Sequence, residues 1–360
     1  MNKKIIAVVL AVVMTIMSTA CGAKSEKGGK YAGQTLHIYN SGEYCGDNMI
    51  SNFEKRTGCK IMYDEFESNE QMYIKVANGD AYDILIPSDY MIQRLIEEDR
   101  LQKLDKSKLT CMDLICDGAK GLQYDPNNDY SVPFYWGTVG IAYDKTKVSE
   151  EDLKKEGFGI FADPKYKGEI YLYDSERDSF MMALKHLGYS MNTKNPDELK
   201  EAYEWLLSIV DTMEPEIVMD EIIDNMAQAR KALGLVYSGD ATYVQAENEN
   251  IGYYMPETGT NVWCDAMVIP KNAENPELAH EFMNYVSEYE AAYDNSIAIG
   301  YTSPNKEVMN ELAEGDYADI PSYIPRTGNP NDEVFTYDAE SRKIMAEYWS
   351  KVKIAAGNAN

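Results

Sequence analysis

The feature that most constrains this chain is a repeated alternation of short strand-like and helix-like segments, punctuated by Gly, Pro and capping residues. Residues 35–40 read as a strand. Asp47 stands where it can cap a helix with Met49, Ile50 and Phe53 on one face, and Gly58 stops it. Residues 60–63 are strand-like, 70–78 helical up to Gly79, 83–86 a short buried strand stopped by Pro87, and 90–98 helical. The theme returns with a strand at 168–172, a helix at 178–187, and Asn195-Pro196 as N-cap and first helical residue of a helix over 196–210. Residues 219–232 read as helix, 235–237 as strand and 262–269 as an alternating strand. Asn275-Pro276 is read as a second capped helix start, and 341–353 as an amphipathic helix. Such alternation predicts an α/β fold with a largely parallel sheet. A chain of 360 residues exceeds one typical core and predicts two domains.

The N-terminus carries an export signature. Lys3 and Lys4 precede an apolar run over residues 5–17, and Ser18, Thr19 and Ala20 precede Cys21. A basic start, a short apolar core and a small-residue cleavage site form a secretory signal. The run is shorter than the ~20 residues a membrane-spanning helix needs. A Cys directly after small residues is the pattern of a bacterial lipobox, in which that Cys is lipidated and becomes the new N-terminus; Ser18 stands where Leu is usual. Residues 22–33 are small, polar and rich in Gly and Lys, a flexible tether. The expectation is a protein held at the outer face of the cytoplasmic membrane through Cys21, with no later segment apolar enough to span a bilayer.

A formal net charge of −26 argues against nucleic acid as a partner, and an acidic body draws in cations. Five cysteines follow Cys21, an odd number at irregular spacing: Cys45, Cys59, Cys111, Cys116 and Cys264. They do not read as a disulfide framework. With no CxxC pair and 3 His, no zinc site is expected, and no cofactor. The chain holds 28 Tyr against 8 Phe and 4 Trp. Tyr joins an apolar ring face to a polar tip, which suits a wet binding cleft.

Signatures of covalent chemistry are missing: there is no GxSxG, HExxH or Walker-type loop, so no enzyme is expected. Gly157-x-Gly159-x-x-Ala162 is followed by Asp163-Pro164, where a dinucleotide-binding helix should begin. Asp125-x-Asn127-x-Asp129 opens like a calcium loop. Tyr130 then stands where glycine is needed and Trp136 where the bidentate Glu belongs, so the segment reads as a polar turn. What remains are loops that combine rings and carboxylates at the carboxyl ends of strands, where open α/β sheets bind ligands. Ser88 and Tyr90 follow one strand, Asp174, Ser175 and Asp178 another, Tyr237 and Asp240 a third. Trp263 and Asp265 are two apart on a strand and share a face. Ring faces attract ammonium groups and cover methylenes, and carboxylates pair with the charges, so an organic cation with apolar stretches fits this set.

The sequence resembles the spermidine/putrescine-binding proteins of ABC importers over nearly its whole length after the signal. The densest stretches are YDEFESNEQMYIKVANGDAYDILIPSDY, LDKSKLT, DPNNDYSVPFYWGTVGIAYD, MALKHLGYS, WCDAMVIPKNAENPE and IGYTSPN. The resemblance implies a two-lobed, periplasmic-binding-protein-like fold of type II with strands crossing between the lobes. One lobe is expected from residues 34–139 plus 264–333, the other from 140–263 plus 334–360. It implies a polyamine held in the interlobe cleft, an ABC permease and its ATPase as partners, and a monomer. Tyr44, Ser88, Tyr90, Trp263, Asp265 and Tyr301 occupy the family's ligand positions with the family's residue types. Asp178 stands where Glu is common and Tyr237 where some members have Trp. Ser41 replaces a pocket Trp, Phe335 a late polar residue, and Ser175 a carboxylate that grips an amine. With Asp178 and Asp265 as carboxylates, putrescine is expected to bind at least comparably to spermidine, unless Asp174, Asp240 or Glu43 fills the place of Ser175. The alternative is a binder of another small organic cation or an amino acid.

Overall fold

The computed structural model describes residues 29–42 and 44–359. The export signal, Cys21, residues 22–28 of the tether and Glu43 lie outside the described residues. The strands are β1 (Thr35–Ser41), β2 (Lys60–Phe66), β3 (Ile84–Leu85), β4 (Ser131–Asp144), β5 (Ile170–Tyr173), β6 (Glu216–Val218), β7 (Leu233–Tyr237), β8 (Ile251–Tyr254) and β9 (Val262–Val268). They order as β2-β1-β3-β9-β4-β7-β5-β6, with β8 also paired to β4.

The key element is β4. Its 14 residues are buried at every position. Residues 131–138 pair with β9, and 139–144 pair with β7 and β8. One strand therefore belongs to two half-sheets, and the change of partner falls at Thr138/Val139. Register slips between Pro133 and Tyr135, where Pro133 lacks the N–H a ladder needs. β1, β2 and β3 are parallel in one half, and β5, β6 and β7 in the other. The predicted largely parallel sheet is in fact mixed, because β4 and β9 run antiparallel to their neighbours. The result is the two-lobed α/β fold expected from the sequence.

A third segment runs between the halves around Glu333. Its backbone N–H donates to the Thr260 carbonyl at 3.0 Å, and its carbonyl accepts from Val262 at 2.8 Å. Its carboxylate accepts from the Met191 N–H at 2.9 Å, from the Ser190 hydroxyl at 2.5 Å and from the buried Lys185.

Several predicted helix boundaries shift. Helix Asp47–Thr57 is entered through Gly46 with no side-chain cap, so Asp47 is its first residue and not its cap. Asn195 does cap Pro196–Met213, accepting from the Asp197 N–H at 3.0 Å. Asn275 does not cap Pro276–Ser287; its amide donates to the Thr35 carbonyl at 2.9 Å and ties that helix to β1. The helix predicted over 219–232 is only Glu221–Ala227. Ala229 has φ +50°, a left-handed turn that ends a helix and is costly for Ala. The closing helix is longer than predicted, Ala339–Ala359. The Asp125 segment is a turn as predicted: its carboxylate accepts from the N–H groups of Asp129, Tyr130 and Ser131 at 2.9–3.0 Å. No helix among the described residues is long and apolar enough to cross a membrane.

Candidate ligand-binding cleft

The cleft is built outward from β9. Trp263 faces Gly137 across the β4–β9 ladder. A Cβ on Gly137 would lie 2.4 Å from the indole, so only glycine lets that ring settle on the strand. From Trp263 the rings continue in both directions. Tyr301 lies at 5.6 Å between centroids and Tyr44 at 5.4 Å beyond it. On the other side Tyr237 lies at 6.2 Å and Tyr173 at 5.3 Å beyond. All four contacts are edge-to-face, a geometry that ring quadrupoles favour. The row joins Tyr44, beside the carboxyl end of β1, to Tyr173 and Tyr237 at the carboxyl ends of β5 and β7.

Three carboxylates border the row. Asp265 accepts the Tyr44 hydroxyl on Oδ2 at 2.9 Å. It is half-buried, and crowding by protein pushes it up to about 6, opposed by the Ser88 and Tyr44 hydroxyls. Ser88 bridges Asp265 through the backbone. Asn69 holds Ser88, accepting from its N–H at 3.0 Å and donating to its hydroxyl at 3.1 Å. Asp178 lies in the first turn of helix Glu176–Leu187, capped by Ser175. Its Oδ2 accepts the hydroxyls of Ser175 and Tyr237, both at 2.7 Å. Its Oδ1 is buried and accepts no hydrogen bond. Burial raises Asp178, while Ser175, Tyr237 and Arg177 oppose the rise. Asp240 accepts the Tyr301 hydroxyl at 2.8 Å, and burial pushes it up to about 7.

The profile of a family described as bacterial extracellular solute-binding protein matches residues 48–321. The chain belongs to that family. The spermidine/putrescine-binding periplasmic protein of Salmonella typhimurium is 33% identical over 328 residues, covering 89% of this chain and 91% of its own length. Its Escherichia coli namesake is 32% identical over 321 residues, with the same coverage. The crystal structure of the spermidine/putrescine ABC transporter substrate-binding protein PotD from Streptococcus pneumoniae matches with a TM-score of 0.78 at 34% identity, covering 90% of this chain and 99% of that one.

In this solute-binding protein, Tyr44, Tyr301, Trp263 and Tyr237 form one row, with Asp178, Asp240, Asp265, Ser88 and Ser175 on its flanks. Two residues named from the sequence stand apart. Tyr90 carries the Arg177 guanidinium 3.5 Å above its ring and donates its hydroxyl to Glu70 at 3.2 Å. Asp174 is engaged elsewhere, accepting from Trp349 at 2.8 Å and pairing with Lys353 at 2.9 Å. Both oxygens of its carboxylate are engaged by these two residues. Sequence reasoning missed Tyr173, Asn69, Glu70 and Arg177. Tyr173 directly precedes Asp174 at a strand end already singled out, and Arg177 lies between two named residues; position was a usable signal for both. A separate cavity of about 380 Å³ lies between helices Asp47–Thr57 and Tyr289–Ile299. One carboxylate, Asp294, lines it, and the ring row does not.

Proposed function

We propose that this chain captures polyamines outside the cytoplasmic membrane and delivers them to an ABC permease driven by its own ATPase. The observation that carries the reading is Asp178. A carboxylate oxygen enclosed by protein with no donor is costly, and an ammonium supplies the missing donor and the opposite charge. Rings in a row beside three carboxylates suit an aliphatic chain bearing spaced cations and disfavour an anion. Spermidine/putrescine-binding relatives at about one-third identity over most of the chain support the same ligand class.

The work is binding and release, with no bond made or broken. The ligand enters between the lobes, carboxylates replace the water lost by each ammonium, and the lobes close around it. We place the bend where β4 changes partners, with lobes of 34–139 plus 264–333 and 140–263 plus 334–360. Lipid on Cys21 holds the protein, as a monomer, to the membrane. Calorimetric titration of the purified protein with putrescine, spermidine, spermine and a panel of amino acids tests the reading. Saturable binding confined to the polyamines is expected; binding of an amino acid with no polyamine heat overturns it.

A further inference from the structure

Asp89 is a buried acid next to Ser88. It is 1% exposed and is the first residue of helix Asp89–Glu97. Its carboxylate takes two backbone donors: the Tyr90 N–H on Oδ1 at 2.6 Å and the Cys264 N–H on Oδ2 at 3.4 Å. On the other side of Asp265, the Ala266 N–H donates to the Pro87 carbonyl at 3.1 Å. Residues 87–89 thus run antiparallel to 264–266, with Ser88 opposite Asp265. Both N–H groups that flank Asp265 are held by this short segment, one by a peptide carbonyl and one by a side chain. Asp89 starts a helix, so its own carbonyl turns along the helix axis, and the carboxylate takes the next place in the ladder.

An amide would not serve in the same way. Asn has one acceptor oxygen, and its NH2 group would face the second N–H. The acid is nevertheless costly to bury as an anion. Burial, with the Asp265 charge adding to it, pushes Asp89 up to about 8, against the N–H groups of Tyr90 and Cys264 and the Arg177 guanidinium. Tyr124, from the turn leading into β4, and the Cys264 thiol also feel its charge, and burial keeps both protonated. We propose that Asp89 is a positioning residue of the Asp265 site: it fixes Asp265 between two held N–H groups, carries a proton while the site is empty, and gives it to solvent when an ammonium settles on Asp265. The inference rests on the polyamine reading above. The ammonium offsets the Asp265 charge that disfavours a second anion, so the ionised form of Asp89 gains. One O–H bond breaks, and buffer takes the proton. The bound cation then meets two negative charges, Asp265 directly and Asp89 beside it. Asp265 at about 6 and Asp240 at about 7 have largely ionised by pH 8, so any further tightening above that range belongs to Asp89.

The test is calorimetric titration of putrescine into the parent protein and into Asp89→Asn at pH 7.5, 8.0 and 8.5, each in two buffers of different ionisation heat. Parent binding should release about half a proton at pH 8, where Asp89 is half ionised in the empty site, and tighten by about threefold from pH 7.5 to 8.5. Asp89→Asn should bind about fivefold more weakly or worse at pH 8.5, with both the release and the tightening gone. A variant weakened by the same factor at every pH makes Asp89 a strut of the fold and overturns the inference; so does a variant with parent affinity. If Asp89→Asn does not fold, the parent decides alone, and binding with no proton released at pH 8 refutes it. A parent that binds no polyamine overturns the ligand class as well, whereas polyamine binding with a flat profile above pH 7.5 overturns only the role of Asp89.

Discussion

At the residue scale, Asp178 and Asp265 hold different positions with the same logic. Each accepts a tyrosine hydroxyl on Oδ2, Asp178 from Tyr237 and Asp265 from Tyr44, and each carboxyl is raised by its surroundings. Removing one partner of a desolvated charge pair costs about 2–5 kcal/mol, so Asp265→Asn and Asp178→Asn should each weaken polyamine binding by roughly 30-fold or more. Calorimetry on each variant checks this, and parent-like affinity would remove that residue from the site. The raised carboxyls also set a pH dependence. Asp265 at about 6 and Asp240 at about 7 must lose their protons to pair with ammonium. Affinity should therefore fall as pH drops from 8 through 7 and 6, and binding near neutrality should release protons, seen as a dependence of the heat on buffer ionisation. The sign for unliganded stability is opposite. These acids have folded values above their usual range, so their stabilising contribution is complete below about pH 4 and lost as pH rises through 6 and 7. The parity that puts Trp263 and Asp265 on one face was legible in the sequence. The pairing of Tyr90 with Arg177 was not, because nothing local says which side chain will cover a ring.

At the element scale, the cleft depends on glycines that let rings rest on bare backbone. A Cβ on Gly137 would meet Ser238 Oγ and the Trp263 ring at 2.4 Å, and one on Gly239 would meet the Tyr301 ring at 2.5 Å. Gly137→Ala should displace Trp263, reduce polyamine affinity at least several-fold, and destabilise the fold by an overpacking cost of about 1–3 kcal/mol, seen as a lower melting temperature. A variant with parent affinity and melting temperature would show that the ring has room to move. Elements with strong local signals were legible: Asn195-Pro196 opens a helix by side-chain capping and proline's fixed φ. Asp47 and Asn275 carry the same residue chemistry, yet tertiary partners claim Asn275 and the chain enters its helix one residue before Asp47. β4 escaped a reading from periodicity because both its faces are buried, leaving no alternation to detect.

At the scale of the whole molecule, two lobes were expected from chain length and from the family resemblance, while the route of the crossing strands appears only in the sheet order. The proposed lipid anchor makes a prediction at this scale: if Cys21 is lipidated, Cys21→Ala should move the protein from the membrane fraction to the soluble one or block processing of the signal. Unchanged retention in membranes would point to another anchor.

The place of β9 in the sheet has a consequence for when this chain can fold. β9 (Val262–Val268) is wedged between β3 and β4, so the sheet has a gap between those two strands until the chain is synthesised past residue 268. Pairings this distant in sequence form slowly, because the chain between them must first be closed into a loop. This topology postpones compaction of the amino-terminal strands until β9 is available. A chain ended at residue 261 should have its first 138 residues digested by protease at the rate of an unfolded polymer, while the full chain resists. Equal resistance would mean that the early strands close on their own, without β9.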